Sequence, residues 1–237
     1  IMVSSEDSRR ACEELYARAR GRVHAVRFAV HSGQPTADDQ ARAVADRYGL
    51  LNEYFFMPNQ FWAHKNHRLV LEALSMLRSE GMNVTVMATG LQNDPRDPLH
   101  VPALRQFVED AGLKGQFLMP GLIPYADLRP LMQASVALLN PSLFEGWSTS
   151  VEEAKAGGIP LLLSDLPVHL EQANGEAVFF DRHSARSLAD ALRQFPRHTA
   201  EARLQRRILA EQNAQSRVTQ YAREFVDLAM AAARCSA

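Results

Sequence analysis

Two carboxylates flank a glycine-containing turn near the middle of the chain. Glu145 and Glu153 have seven residues between them, and their segment (141–160) follows an apolar run at 135–139 that predicts a buried strand. The order is therefore a strand, a turn and a helix start. Backbone N–H groups at a helix N-terminus attract phosphate, and ionised carboxylates accept hydrogen bonds from sugar hydroxyls. This layout predicts a site for a ligand that is both anionic and polyhydroxylated.

The same region also fits a purely structural role. Thr149 with Glu152, and Ser150 with Glu153, have the spacing of a capping box, in which two side chains bond the first turn of a helix. For this spacing taken alone, capping is the more common role. Capping and ligand binding both stay open from these residues.

A second polar loop, at 58–67, follows an apolar run at 54–57 and carries Lys65. Lysine can neutralise a diphosphate as a point charge, although an isolated lysine is more often a solvated surface residue. Gly90 ends another apolar run, where a glycine allows close approach of a ligand or simply ends a strand. Ligands of an open parallel sheet bind beyond the carboxyl ends of its strands, so these loops are expected at one edge.

The elements that must position these loops alternate along the chain. Short apolar runs and longer amphipathic stretches follow one another, which predicts βαβ units and a parallel sheet. The predicted strands are 23–30, 54–57, 84–88, 116–119, 136–139, 159–163 and 177–180. The predicted helices are 37–48, 68–78, 102–111, 126–133, 149–156, 187–194 and 199–235, the last with a break near Ser216. A break between secondary-structure elements is expected at 32–36, after a strand–helix–strand segment.

Composition disfavours several classes of protein. A formal net charge of −1 gives no general attraction to nucleic acid or anionic lipid. Cys12 and Cys235 form no C-x-x-C pair, which argues against a zinc site or disulfide framework and favours a reducing cytoplasm. No apolar run reaches the roughly 18 residues of a membrane span. The chain has no D-x-D triplet, H-E-x-x-H or P-loop motif.

The string around the two glutamates resembles the donor-binding half of family 4 (group 1) glycosyltransferases, which are retaining, two-domain enzymes of the GT-B fold. Their hallmark is E-x7-E within P-S-x-x-E-G-[FW]-x5-E-A. The matching residues here are Pro141, Ser142, Glu145, Gly146, Trp147, Glu153 and Ala154. The resemblance extends over about 54–195 and includes the stretches 117–142 and 163–172.

The resemblance implies a role for each loop. Glu145 would contact the transferred sugar, Glu153 the ribose hydroxyls and Lys65 the diphosphate. Gly121 and Leu122, in the loop after the strand at 116–119, would lie against the nucleotide base. Backbone N–H groups would be offered to the sugar and diphosphate by Gly146, Trp147, Ser148 and Thr149.

Some residues depart from the family pattern or have a structural alternative. Asn59 and Gln60 stand where members often carry Gly-Arg, and Gln60 can donate hydrogen bonds to phosphate but brings no charge. Ser148 replaces a second glycine, where its side chain would either restrict the sugar pocket or donate a hydrogen bond. For the rings of Trp147 and His169, a structural role is the favoured interpretation.

The resemblance implies an α/β fold with a doubly wound parallel sheet and a long C-terminal helix. The expected domains are the end of an N-terminal acceptor domain (1–33), a linker helix (34–50), a nucleotide-sugar-binding domain (51–198) and the C-terminal helix (199–237). The chain begins in mid-pattern, which favours an excised fragment that lacks most of the acceptor domain.

The expected reaction is transfer of a hexose, with mannose as a candidate, from a nucleoside-diphosphate sugar. The acceptor would be a glycan or a lipid-linked molecule bound through the missing N-terminal domain, and the fragment alone would have little activity. No metal or other cofactor is expected, and no nucleic acid partner. The expected location is the cytoplasm, with peripheral contact at the inner face of the membrane only through the full-length enzyme. The alternatives are a non-catalytic nucleotide-sugar-binding module and a GT-B nucleotide-sugar epimerase.

Overall fold

The computed structural model describes residues 1–31, Gly33 and residues 36–235. Three residues of the predicted break at 32–36 lie outside the described residues, and so do the last two of the predicted terminal segment.

The described residues form strands and helices that alternate along the chain. The strands are β1 (Met2–Val3), β2 (His24–Ala25), β3 (Phe55–Pro58), β4 (Val86–Thr89), β5 (Phe117–Gly121), β6 (Ala137–Asn140), β7 (Leu161–Ser164) and β8 (Ala177–Phe180). The helices are α1 (Glu6–Leu15), α2 (Asp38–Arg47), α3 (His67–Ser79), α4 (His100–Asp110), α5 (Tyr125–Ala134), α6 (Thr149–Ala156), α7 (Pro167–Ala173), α8 (Ala185–Gln194) and α9 (Ala200–Cys235).

Strands β3 to β8 form one parallel sheet in the order β5-β4-β3-β6-β7-β8. Helices α3, α4 and α8 pack on one face, and α2, α5 and α6 pack on the other. Buried apolar residues therefore occupy both faces, as a parallel sheet requires. This architecture confirms the predicted doubly wound α/β class with a long terminal helix. The strand order reverses direction between β3 and β6, which is the topological switch point of the sheet.

Strands β1 and β2 pair in parallel as a separate two-stranded sheet, with α1 between them in the chain. The predicted strand–helix–strand order is present, but the predicted strand at 23–30 is wrong in length, because only His24 and Ala25 pair with β1. Val26 N still donates to Val3 O of β1 at 2.8 Å, but by Phe28 the chain has a different partner, since Phe28 O accepts a hydrogen bond from Trp147 Nε1 at 3.0 Å.

Two helix predictions also need correction. Helix α7 was not predicted, although Pro167 at its first position is a helix-start signal. The predicted break near Ser216 is wrong, because α9 continues through that residue. Ser216 is exposed on α9, where its side chain does not disturb packing. No helix of the described residues combines the length and the apolar character needed to cross a membrane.

Helix α9 packs closely against the main sheet domain at Gly158, just after α6. Gly158 has φ of 68°, and a Cβ at this position would lie 2.7 Å from the backbone oxygen of Arg206. The neighbouring Gly157 has an ordinary φ of −89°, and its Cβ would come no closer than 3.4 Å to another atom. Only Gly158 is therefore required to be a glycine by the backbone contact with α9.

We expect Gly158→Ala to lower the free energy of unfolding by about 2 kcal/mol or more, because it combines a left-handed backbone with a steric clash. Gly157→Ala is the matched control and should change it by less than about 1 kcal/mol. Urea denaturation followed by circular dichroism measures both. Equal stability of the two variants would show that α9 does not pack against Gly158 in solution.

Candidate functional site

The loops that follow β3 and β6 meet at the switch point of the sheet. Asn59 follows β3 directly, and its Nδ2 donates to Oδ1 of Asn140, the last residue of β6, at 3.2 Å. Leu143 N donates to His64 O at 2.8 Å. The topology therefore joins the lysine-containing loop to the glutamate turn.

Lys65 and Glu145 form an ion pair across these two loops. Lys65 Nζ lies 2.7 Å from Glu145 Oε1, and the side chains are only 13% and 9% exposed. Lys65 is the last residue of a 3₁₀ turn at Ala63–Lys65, and the left-handed Asn66 (φ 60°) then starts α3. The short turn fixes the position from which the Lys65 side chain extends, so its ammonium group is held at the carboxyl ends of the strands.

Neutral donors also hold Glu145. Ser142 Oγ donates to Glu145 Oε1 at 2.8 Å, and Asn140 Nδ2 does so at the longer distance of 3.4 Å. Burial alone would raise the pKa of Glu145, but the Lys65 ammonium and the Ser142 hydroxyl outweigh it and hold the pKa below its ordinary value. Glu145 is therefore an ionised carboxylate at neutral pH.

The N-terminus of α6 is fixed by a side chain from α7. Ser148 is the N-cap, and its own side chain makes no capping bond. Its N–H donates to Gln172 Oε1 at 3.2 Å, and Gln172 Nε2 donates back to Ser148 O at 2.8 Å. Glu152 Oε1 accepts from Gln172 Nε2 at 3.0 Å, so the capping-box pairing of Glu152 with Thr149 does not form.

Of the four backbone N–H groups expected to face a ligand, one already has a protein acceptor. The Ser148 N–H is engaged by Gln172. Within the described part of the chain, the backbone N–H groups of Gly146, Trp147 and Thr149 have no hydrogen-bond acceptor. The turn and the helix start can therefore still present three N–H groups, together with the helix dipole, to an anion.

Glu153 lies one turn into α6 and is half-buried. It makes no ion pair or side-chain hydrogen bond with another described residue, and burial raises its pKa. Its side chain lines a cavity of about 700 Å³ bounded by α5, α6, α9 and the segment before α2. Glu153 is thus a carboxylate whose hydrogen-bonding capacity is available to a ligand, unlike Glu145 and Glu152.

Gln60 and Gly90 follow the neighbouring strands β3 and β4, at the carboxyl ends of these strands. Gln60 Oε1 accepts from Leu91 N at 2.8 Å, which leaves its Nε2 donors without an acceptor among the described residues. Gly90 has φ of 145°, and a Cβ there would lie 2.5 Å from Asn59 O. The close approach that demands a glycine at this position is therefore to the protein's own backbone.

Gly121 and Leu122 lie at the end of β5. Gly90 N donates to Gly121 O at 3.0 Å, which ties this loop to the end of β4. Leu122 is 68% exposed, although it is a large apolar side chain. Such exposure leaves an apolar surface beside the edge that a planar ring could cover.

The rings of Trp147 and His169 have structural contacts. Trp147 packs edge-on against Phe28, with ring centroids 6.5 Å apart. His169 is fully buried, its Nδ1 lies 3.0 Å from Ser164 Oγ, and burial lowers its pKa to about 4. His169 is therefore a neutral core residue, as the favoured interpretation predicted.

Sequence reasoning missed Asn140 and Gln172, which are buried amides that organise the turn. The only signal for Asn140 was a polar residue at the end of an apolar strand. Gln172 lay in a helix that was not predicted, so nothing in the sequence indicated its contact with Ser148. No group of three or more His, Cys, Asp or Glu side chains among the described residues could hold a metal ion.

Comparison with known proteins shows the family of this chain. Residues 51–225 match the family described as glycosyl transferases group 1, and the chain belongs to this family. It is 24% identical over 140 residues to the O-antigen chain mannosyltransferase RfbU of Salmonella typhimurium, an alignment that covers 59% of this chain and 37% of that protein.

Solved structures show the same fold at low sequence identity. A glycosyltransferase from Rickettsia africae superposes with a TM-score of 0.81 at 15% identity, covering 96% of this chain and 62% of that one. HepE from Anabaena, solved in complex with UDP, gives a TM-score of 0.80 at 16% identity, covering 97% and 63%. The chain thus spans less than two thirds of the length of each of these relatives.

The buried ion pair predicts a pH-dependent loss of stability. Lys65→Met should lower the free energy of unfolding by about 3 kcal/mol at neutral pH, because it leaves a buried carboxylate without its cation. The pKa of Glu145 then rises above its unfolded-state value. The loss should therefore be largest near pH 8 and shrink as the pH falls towards about 5, where the carboxyl takes up a proton.

The control is the double variant Lys65→Met/Glu145→Gln, which removes both charges and should recover most of the stability with little pH dependence. Urea denaturation between about pH 5 and pH 8 measures all three chains. A loss that is independent of pH in Lys65→Met would show that the pair is not buried in solution.

Proposed function

We propose that this chain is the nucleotide-sugar-binding part of a retaining glycosyltransferase. The enzyme transfers a hexose from a nucleoside-diphosphate sugar to a glycan or lipid-linked acceptor, and mannose is the hexose suggested by the similarity to RfbU. The observation that carries the proposal is the Lys65–Glu145 pair at the switch point, beside the N-terminus of α6.

Lys65 is the proposed partner of the diphosphate. Its charge is neutralised by Glu145, whose Oε1 lies 2.7 Å from Lys65 Nζ. A diphosphate carries more negative charge than one carboxylate and competes for the same ammonium. Together with the N–H groups of Gly146 and Thr149, Lys65 would stabilise the charge that builds on the diphosphate as the anomeric bond breaks. Gln60 would add a neutral donor through its Nε2.

Glu145 is the proposed partner of the hexose. It keeps the Ser142 and Asn140 donors when Lys65 turns towards phosphate, so the carboxylate stays in position. As a carboxylate it accepts hydrogen bonds from sugar hydroxyls and places a negative charge close to the reacting carbon. Retention of configuration, with attack on the face of the leaving group, is the family's stereochemistry and belongs to the proposal.

Glu153 is the proposed partner of the ribose. It is half-buried and has acceptor capacity that no described residue uses. Two adjacent ribose hydroxyls can donate to one carboxylate in a bidentate arrangement. The exposed Leu122 would then lie against the base. The acceptor would bind on the opposite wall of the cleft, which in the relatives corresponds to the part of the protein that this chain does not span.

Nucleotide binding tests the assignment of Glu153. We expect Glu153→Gln to weaken binding of a ribonucleoside diphosphate by about 10-fold to 100-fold, because it loses charged hydrogen bonds to the ribose. Binding to the corresponding 2′-deoxynucleotide should change less. Calorimetric titration with UDP, GDP, ADP and their 2′-deoxy forms measures this difference.

The exposed Glu176→Gln is the matched control and should bind like the unaltered chain. Because burial raises the pKa of Glu153, the affinity should also fall as the pH drops from about 7.5 to about 5, and this fall should be weaker in Glu153→Gln. If Glu153→Gln binds ribonucleotides with unchanged affinity, the ribose assignment is wrong.

Binding should not require a divalent cation, because Lys65 and the start of α6 supply the positive field for the diphosphate. We expect the same dissociation constant for UDP or GDP in excess EDTA as in about 5 mM MgCl₂, within about threefold. A metal-free preparation that loses binding and regains it with Mg²⁺ or Mn²⁺ would contradict the expectation that no metal is needed.

Donor turnover separates the transferase from the alternatives. A full-length protein that releases nucleoside diphosphate from the sugar donor, and loses this activity in Glu145→Gln while keeping nucleotide affinity, is a transferase. Binding without turnover would favour the non-catalytic module. Conversion of the donor into its epimer would favour the epimerase.

A further inference from the structure

Asn140 is a fully buried amide at the end of the central strand β6, directly behind the glutamate turn. Its Oδ1 lies 3.2 Å from Asn59 Nδ2 and 2.7 Å from Ser142 Oγ. Its Nδ2 lies 3.0 Å from Ser148 Oγ and 3.4 Å from Glu145 Oε1. One side chain thus contacts the loop after β3, the glutamate turn and the N-cap of α6.

The Ser142 hydroxyl links this amide to Glu145. Its Oγ lies within hydrogen-bond distance of both Asn140 Oδ1 (2.7 Å) and Glu145 Oε1 (2.8 Å), but the hydroxyl carries a single proton. The ionised carboxylate is the stronger acceptor and takes most of that proton. The Asn140 oxygen is still satisfied, because Asn59 Nδ2 and the Ser142 N–H (3.3 Å) also donate to it.

We propose that Asn140 is a positioning residue for Glu145, whose neutral amide holds Oε1 in place beside the start of α6 while Lys65 serves the phosphates of the ligand. The proposal rests on the proposed function in assigning the hexose to Glu145. Asn140 itself lies behind the turn and would act only through Glu145, Ser142 and Ser148.

The chemistry of the position favours an amide over its near-isosteres. A carboxylate there would place a second negative charge about 3.4 Å from Glu145 and could not donate to Ser148. A leucine would remove every donor and acceptor and leave Asn59 Nδ2 without its partner. The other charged or titratable groups that act on Glu145 are Lys65, His64 and His169, and of these only Lys65 bonds it.

Titration of the Glu145 carboxyl tests the positioning role directly. The side-chain carboxyl carbons of glutamate, labelled with ¹³C, are followed by NMR against pH, and the Glu145 signal is identified by its loss in Glu145→Gln. We expect its midpoint to rise by about one pH unit or more in Asn140→Asp, because two close carboxylates resist joint ionisation. Asn140→Leu should raise the midpoint less, because it removes one hydrogen-bond donor to Glu145 and leaves Ser142 less firmly positioned.

The matched control is Gln116→Leu, which removes a buried amide at the opposite edge of the sheet. It should lower stability without moving the Glu145 midpoint, so a general loosening of the fold is distinguished from loss of positioning. If Asn140→Asp does not fold, Asn140→Leu carries the test. An unchanged Glu145 midpoint in the folded Asn140 variants would overturn the proposal.

Ligand affinity gives a second readout and separates this proposal from the proposed function. Asn140→Leu should weaken UDP-glucose or GDP-mannose by about 10-fold while changing UDP or GDP by less than about threefold, because only the hexose contacts Glu145. Equal losses for the nucleotide and its sugar conjugate would contradict the positioning role. If the unaltered chain binds none of these probes, the proposed function fails, and the NMR titration still decides whether Asn140 positions Glu145.

Discussion

The ion pair between Lys65 and Glu145 is the constraint on which the rest of the site depends. Two mostly buried charges are costly to desolvate, so they persist only where geometry and extra hydrogen bonds compensate. The compensation comes from the parallel sheet, which sets β3 beside β6 and so places their following loops in contact. The charges then lie at the switch point, where α/β folds leave a crevice for ligands.

Behind the pair lies a cluster of neutral polar side chains that limits its movement. Asn140 bonds both Asn59 and Ser142 beneath the turn, and Gln172 on α7 forms two hydrogen bonds with the backbone of Ser148. Buried polar groups of this kind are stable only when each has a partner. The charged pair therefore lies above hydrogen-bonded neutral groups, so that in the proposed diphosphate complex only the Lys65 side chain has to move.

The sequence predicted the α/β class, the strand–helix alternation of the main sheet and the segment that carries both glutamates. The predictions from the sequence failed where contacts with distant residues decide whether a segment forms a strand or a helix, and how long it is. The apolar run at 23–30 forms only a two-residue strand, because β1 offers no longer pairing. Helix α7 is short and polar enough to be read as a loop, and α9 continues past Ser216 because an exposed serine does not break a strong helix.

Local pattern by itself determined that Glu145, Glu153 and Lys65 follow strands, because hydrophobic periodicity and turn residues act over neighbouring positions. Only the tertiary structure decided their different states. Glu145 pairs with a lysine eighty positions earlier in the chain, while Glu153 faces a cavity and has no side-chain partner among the described residues. The reason is physical: strand order brings distant loops together, and burial and partners, which no spacing encodes, set the charge and the availability of each carboxylate.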